Sequence, residues 1–351
     1  MKTTRIGFIG TGAVAQVHAE AYRALAGVEL AACYDLDPAR ADAFARTHSA
    51  QGYSDLAAML SSANLDIACV LTPARAHEAA VIACANAGVH VLCEKPLALS
   101  LDACDRMIRA CEQAGVSLAY GASYRFLPAV VTAKQLIDAG EIGDILLMRE
   151  AAVGGSGIER RETLSEAHFP AGGPGGSGMG LIDHGIHLVD LFSWLAKSPV
   201  TRVRGRGNIA GQKQLPEYLM LEYDNGALGE LVYEDGTFPS ELPTEGIFSG
   251  GSGWDVGGIT PPGQWQAHPG SIHIHGSRGS LRIFHYANAL YLRNQHGVRE
   301  IKVPEPGAPI QFALQLQAFI DSIRAGLPPP VPASAGREAC RLVLSVYGEH
   351  S

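Results

Sequence analysis

The sequence predicts an α/β first half, a doubly wound parallel sheet with helices on both faces, followed by an α+β second half on a large, mostly antiparallel sheet. Three observations carry this. Short apolar runs alternate with helix-period segments through the first third of the chain. Beyond Leu127 strand-like runs instead pair across hairpin signals. The chain of 351 residues, 47% hydrophobic and 18% charged, is globular in composition and long enough for two cores. The division is placed between residues 123 and 124, giving domains 1–123 and 124–351.

In the first half, strands are expected at Arg5 to Gly10, Val28 to Tyr34, Asp66 to Thr72, Val89 to Cys93 and Ser117 to Gly121. Helices are expected from Ala13 to Leu25, from Asp37-Pro38 by the cap-then-proline rule, from His77 to Gly88, and from a Ser100 cap to Gly115. In the second half a helix at Ala129 to Ala139 precedes the strands. Tyr218 to Tyr223 and Ala227 to Glu234 flank Asp224-Asn225-Gly226, read as a type I′ hairpin signal. Ser271 to Gly276 and Ser280 to Tyr286 flank Ser277-Arg278-Gly279 in the same way. An apolar helix at Leu181 to Leu195 interrupts them, and helices at Ile310 to Ala325 and Ala333 to Tyr347 close the chain.

The formal charge of -8, with no basic tract, excludes nucleic acid as a partner, because a phosphate backbone demands a clustered positive field. Seven cysteines without a pairing pattern suit reduced thiols, mostly buried. No signal peptide or spanning-length apolar run is evident, so no membrane partner and a cytoplasmic location are expected.

The first chemical motif is Gly10-Thr11-Gly12-Ala13-Val14-Ala15, between a strand and a helix. Gly10 permits a tight turn, Gly12 lets the backbone approach a pyrophosphate, and Ala15 allows close strand–helix packing. Asp35 follows at the end of the next strand, about 20 residues on, where a carboxylate accepts from a ribose 2′-hydroxyl. Alternatively, it caps the turn before Pro38. A carboxylate there repels a 2′-phosphate, and Leu36-Asp37 offers no nearby arginine, so NAD is expected over NADP.

Cys93-Glu94-Lys95-Pro96 leaves the fifth strand of the alternating region, where open sheets bind ligands. Lys95 is thus expected beside the nicotinamide, the alternative being two surface charges at a proline turn. Asp183-His184-Gly185-Ile186-His187 opens the second-half helix, and Asp183 and His187 share a helical face. A carboxylate orienting an imidazole is an acid–base unit, although a capping Asp and a core His would read the same.

With Thr72-Pro73, His77 and Tyr124-Arg125-Phe126 in the same order and spacing, these motifs make the chain resemble the glucose-fructose oxidoreductase/inositol dehydrogenase/rhizopine-catabolism (Gfo/Idh/MocA) family along essentially its whole length. The resemblance implies a Rossmann domain and an α+β domain whose sheet builds homodimers or homotetramers. It also implies a catalytic trio of Lys95, Asp183 and His187, with His187 the base, Lys95 stabilising charge on the substrate oxygen, and Asp183 orienting His187 or binding substrate. By the same analogy Thr72, Pro73, His77 and Glu94 line the dinucleotide or the cleft; Tyr124, Arg125 and, outside the family pattern, His184 are the further candidates for the substrate side. Ala74 stands where the family often has a polar residue, and His184 is unusual there, either a pocket contact or solvent-facing.

No metal is assigned: His168, Asp183, His184 and His187 are the candidates, but positions 183 and 184 diverge on a helix. His273 and His275 alternate in a strand and are expected to face solvent. The Gly-rich stretches 171–178 and 249–263, with Trp254 and then Trp265, are either mobile walls of a sugar site or loose connections. Arg125, Arg160 and Arg161 are candidates for a substrate carboxylate or phosphate. The leading function is NAD-dependent oxidation or reduction of a sugar, inositol or related polyol. Behind it stand a redox-neutral enzyme with retained NAD and, third, a dinucleotide sensor, which would not need the acid–base set.

Overall fold

The computed structural model describes residues 3–153, 180–209, 212, 215–234, 271–285, 287–304 and 310–347. The Gly-rich stretches, Arg160, Arg161, His168, Trp254 and Trp265 lie outside them.

The first sheet is parallel, with strands β1 (Thr4–Ile9), β2 (Val28–Tyr34), β3 (Gln51–Tyr53), β4 (Ile67–Val70), β5 (His90–Cys93) and β6 (Leu118–Tyr120). Their order is β3-β2-β1-β4-β5-β6. Strand order therefore reverses between β1 and β4, and the crevice beyond their carboxyl ends is where such sheets take a ligand. The helices are α1 (Ala13–Tyr22), α2 (Pro38–His48), α3 (Leu56–Ser62), α4 (His77–Asn86) and α5 (Leu101–Ala114). Their ends follow local chemistry. Asp37 caps α2 through Ala39 N, Ser100 caps α5 through Ala103 N, and Gly115 ends α5 in the left-handed region at φ 67°. The short β3 and α3, capped by Asp55, were not expected from the sequence pattern.

The second sheet has eight strands in the order β14-β13-β12-β11-β7-β10-β9-β8. They are β7 (Ile145–Val153), β8 (Val200–Arg206), β9 (Glu217–Tyr223), β10 (Leu228–Glu234), β11 (Ile272–Gly276), β12 (Gly279–Phe284), β13 (Ala289–Asn294) and β14 (Gly297–Ile301). Among the described residues only the β7–β10 pair of this sheet is parallel. Helix α6 (Pro128–Asp138) precedes it, and α7 (Ile186–Ala196) packs on its inner face behind Leu219, Leu221 and Leu231. The β9–β10 connection corrects the expected type I′ turn. Of its residues only Gly226 has positive φ (84°), while Gly226 N donates to Tyr223 O. Three residues separate Tyr223 from Ala227, whose carbonyl accepts from Tyr223 N at 2.9 Å, and that length takes a type I turn followed by a left-handed glycine.

The two halves interlock. The last helices, α8 (Ile310–Ala325) and α9 (Ala333–Leu344), belong by the sequence division to the second half. Yet α8 closes the first sheet: Leu316, Phe319 and Ile320 join Ile6, Phe8, Ala15 and Ala19 in one core. Leading into α9, Val331 O accepts from Tyr120 N at 2.9 Å, extending the edge of β6. All seven cysteines are buried and free of disulfides, as expected for reduced thiols. Among the described residues no helix is long and apolar enough to cross a membrane.

Candidate active site

The glycine turn sits between β1 and α1. Gly10 adopts φ 95°, and a Cβ there would lie 3.0 Å from the Leu71 carbonyl, so neither the conformation nor the space admits a side chain. Gly12 is the N-cap of α1; a Cβ there would meet only Arg40 Nη2, at 3.6 Å, which leaves the helix N-terminus open. Ala13 and Val14 open that helix, and Ala15 is fully buried against the sheet. Across the crevice the Thr72 hydroxyl is buried without a hydrogen-bond partner, beside an exposed Pro73. An open helix terminus facing an unsatisfied hydroxyl fits a phosphate-bearing dinucleotide.

Asp35 ends β2 and is tied to this turn: its Oδ2 accepts from the Thr11 amide (3.0 Å) and hydroxyl (2.8 Å), and its Oδ1 from the Asp37 amide (3.1 Å). Burial alone would raise this carboxyl. The hydrogen bonds from Thr11 and Asp37, with the Arg40 charge, outweigh it and hold the group below its ordinary range. The turn-capping and crevice roles therefore coexist. The expectation of no neighbouring arginine is corrected: the first turn of α2 brings Arg40 Nε to 3.8 Å from Asp35 Oδ2.

Lys95 leaves β5 into the crevice, before a cis Lys95–Pro96 bond. Its ammonium donates to Asp183 Oδ1 (2.6 Å) and to the Asp183 carbonyl (3.0 Å), and both side chains remain partly exposed. Glu94 is more buried than expected. Its Oε1 pairs with His18 Nε2 of α1 at 3.0 Å and its Oε2 accepts from the Lys95 amide at 3.1 Å. Burial would raise Glu94, but His18 and Lys95 hold its carboxyl low. His77, expected against the dinucleotide or cleft, is fully buried with both ring nitrogens on backbone carbonyls: Pro96 and Leu97 on one side, Thr72 on the other. It braces the crevice loops to each other and has no nitrogen left for a ligand. Ala74, in place of a polar residue, is buried at the start of a short turn.

The second half contributes through a π-helical turn, Leu181–Gly185, ahead of α7. Such turns insert one extra residue and recur at functional sites. Gly185 is required here because a Cβ would lie 2.9 Å from the Tyr233 ring. Asp183 turns its carboxylate to Lys95, and among the described residues no hydrogen bond joins it to His187. The expected Asp183–His187 pairing is thus replaced by Asp183–Lys95. The His187 ring stacks on Tyr124, with centroids 4.2 Å apart and planes 7° from parallel. Its Nδ1 is buried without a partner. Burial, then the charges of Lys95, His184 and His285, hold its pKa well below the usual imidazole value, so the ring is neutral at pH 7.

Two expected substrate residues turn inward. Arg125 Nε and Nη2 donate to both oxygens of Asp190 (2.7 and 2.6 Å), while its guanidinium lies 5.4 Å over the Trp194 ring. That carboxylate occupies the fork meant for a substrate anion. His184 is buried, not solvent-facing, and pairs with Glu150 at 3.0 Å. Tyr124 is also buried, beneath His187. Sequence reasoning missed His18, Arg40, Glu150, Asp190, Tyr233 and His285. The available signals were a charged Glu150 inside an apolar strand run and a polar Asp190 within an apolar helix. His273 and His275 lie on the outer side of β11, His275 exposed and His273 half-buried.

A glycine turn at a strand-order reversal, facing a lysine–carboxylate pair and a neutral buried imidazole, defines a nicotinamide-dinucleotide-binding oxidoreductase fold and cleft. Residues 4–122 match a family described as an oxidoreductase family with an NAD-binding Rossmann fold, and residues 130–282 match the GFO/IDH/MocA C-terminal domain. The chain belongs to the Gfo/Idh/MocA oxidoreductase family. It is similar to glucose-6-phosphate 3-dehydrogenase of Bacillus subtilis, 30% identical over 55% of this chain and 54% of that enzyme. It thus spans about half of that relative's length. Inositol 2-dehydrogenase 2 of Saccharopolyspora erythraea is 29% identical over 78% of this chain and 74% of its own. The solved aldose-aldose oxidoreductase of Caulobacter crescentus superposes with a TM-score of 0.79 at 20% identity, over 98% of this chain and 96% of its own, which speaks to fold alone.

Proposed function

We propose that this protein is a cytoplasmic NAD-dependent dehydrogenase acting on a hydroxyl, or in reverse a ketone, of a sugar, inositol or related polyol. The observation that carries the proposal is the convergence of Lys95, Asp183 and His187 from two domains on one cleft, with the lysine held 2.6 Å from the carboxylate. The names of the curated relatives, a sugar-phosphate and an inositol dehydrogenase, support the substrate class. Gly10, Gly12, Ala13, Val14, Asp35, Thr72 and Pro73 would hold the dinucleotide, and the nicotinamide supplies the hydride acceptor. The Lys95 ammonium anchors the substrate oxygen and offsets the negative charge that grows on it. Asp183 fixes that ammonium. Neutral His187, backed by the Tyr124 ring, takes the hydroxyl proton on Nε2, since its Nδ1 is buried.

The test is absorbance at 340 nm with NAD across a panel of sugars, sugar phosphates and inositols. NADH formed in proportion to substrate is the expected result. Altered sugar products with retained NAD and no net NADH would instead place the enzyme in the redox-neutral class.

Asp35 is proposed to set the preference for NAD over NADP by repelling a 2′-phosphate. Because Arg40 already stands beside it, Asp35→Ala should leave a cationic site. The ratio of kcat/KM for NADP to that for NAD should rise by about a hundredfold, from lost repulsion of several kcal/mol. An unchanged ratio would remove Asp35 from cofactor selection.

The outer face of the second sheet is proposed as the subunit interface. Tyr218, Met220 and Leu228 are exposed there beside the Arg149–Glu230 pair. Light scattering on the purified protein should give a dimer or tetramer, and Met220→Lys should shift it toward monomer.

A further inference from the structure

We propose that Glu150, His184 and His285 form a binding site for one divalent transition-metal cation, buried beneath the cleft and separate from Lys95 and Asp183. Each residue offers one ligand atom, and the three atoms lie within 4.8 Å of one another. They come from three elements: the middle of β7, the π-helical turn, and the residue following β12. All are buried, at 1%, 5% and 3% exposure.

The carboxylate sets this group apart from an ordinary hydrogen-bonded cluster. Glu150 Oε2 is well supplied, accepting from the Tyr233 hydroxyl (2.7 Å) and facing His184 Nε2 (3.0 Å). Oε1 is buried without a hydrogen-bond partner, 3.7 Å from His285 Nε2. Among the described residues its only ion-pair partners are these two imidazoles, with no lysine or arginine to balance a buried charge. An uncompensated buried carboxylate is costly, and a cation between it and two imidazoles removes that cost.

The donor set also selects the ion. Two imidazoles and one carboxylate suit zinc, iron, cobalt or nickel over magnesium or calcium, which take oxygen ligands. Metal–ligand bonds of about 2.0–2.2 Å hold ligand atoms about 3.3–3.6 Å apart in a tetrahedron. The Glu150–His184 spacing of 3.0 Å lies just below that range and the 3.7 Å from Glu150 to His285 just above it, so each needs only a small shift. Metal-bound imidazoles commonly engage a polar group through the other ring nitrogen. Here His184 Nδ1 lies 3.5 Å from the Tyr124 hydroxyl, and the Tyr124 ring backs His187. The cation would therefore anchor the support of the proposed base, taking no part in hydride transfer. Sequence spacing conceals this set, because only His184 belongs to a recognisable motif.

The test is metal content, which does not depend on knowing the substrate. The full chain is stripped with a chelator, dialysed, loaded separately with Zn²⁺ or Co²⁺ and desalted before elemental analysis. The expected result is about one equivalent per chain, with visible Co²⁺ ligand-field bands and a raised melting temperature on loading. Glu150→Gln and His285→Ala should each retain less than about a tenth of an equivalent, a loss of the kind a removed ligand gives. The double variant His273→Ala/His275→Ala, on the outer strand face, should retain the full equivalent. Wild-type protein that holds neither ion at stoichiometry overturns the proposal without any variant. So does full retention in folded Glu150→Gln and His285→Ala, or loss in the outer double variant. Absence of dehydrogenase activity would bear on the proposed function and leave the metal result standing.

Discussion

Lys95→Ala should lower kcat/KM by about a thousandfold, while the Kd for NAD changes by less than about threefold. A thousandfold corresponds to about 4 kcal/mol of transition-state stabilisation, the scale of one preorganised charge aimed at a developing oxyanion. Lys95 is fixed for that task by two hydrogen bonds from its ammonium to Asp183. The groups proposed to hold the dinucleotide, Gly12, Thr72 and Asp35, lie on other elements and should be unaffected in this variant. Asp183→Asn should cost less, since the Asp183 carbonyl still accepts from Lys95. His187→Ala should cost about 10²–10⁴-fold, as for a lost general base. The pH profile adds an independent readout. A lowered folded-state pKa keeps His187 in its basic form as pH falls through 6.5, so the acid limb of kcat/KM should lie below the ordinary imidazole range. An acid limb at or above 6.5, or a Lys95→Ala variant within tenfold of wild type, would refute this assignment.

Much of the first domain was legible because its elements announce themselves locally. β2 ran from Val28 to Tyr34 as expected, and Asp37, Ser100 and Gly115 marked helix ends by chemistry that acts within one turn. Three of the strands that escaped notice carry too little pattern. β3 has three residues, β14 is almost wholly exposed, and β7 has Arg149 and Glu150 breaking its apolar run. The site was legible as residue types and less so as partners. Lys95, Asp183 and His187 were marked, but Asp183 was matched to the nearer His187 when its partner is Lys95, 88 positions away. Arg125 and His77 looked like ligand-binding groups because a charged or polar side chain beside a motif is ambiguous until its own partners are known. Asp190 and three backbone carbonyl groups occupy them.

The same ambiguity makes Arg125 the place for the largest expected loss of stability. Asp190 is buried on α7, and burial lifts its carboxyl above the ordinary range although Arg125 pulls it down. Desolvation therefore outweighs the attraction at Asp190, and, as for most buried pairs, the intact pair adds little net stability. Removing one partner is different. Arg125→Ala strands a carboxylate in an apolar helix interface between Val189 and Leu191 and should destabilise the fold by about 3–5 kcal/mol. A urea titration would read this as a lower midpoint with an unchanged slope. The decisive comparison is the double variant Arg125→Met/Asp190→Leu. If the pair acts through the cost of a lone buried charge, that variant should recover most of the lost stability. If instead the double variant is as unstable as Arg125→Ala, the guanidinium stabilises through its packing on Trp194, and the charge is secondary. The pair also joins the Ser123–Phe126 turn, which carries Tyr124, to the helix that carries His187. A double variant with restored stability should therefore still lose part of its kcat, because the ring stack beneath His187 is no longer held in register from both sides.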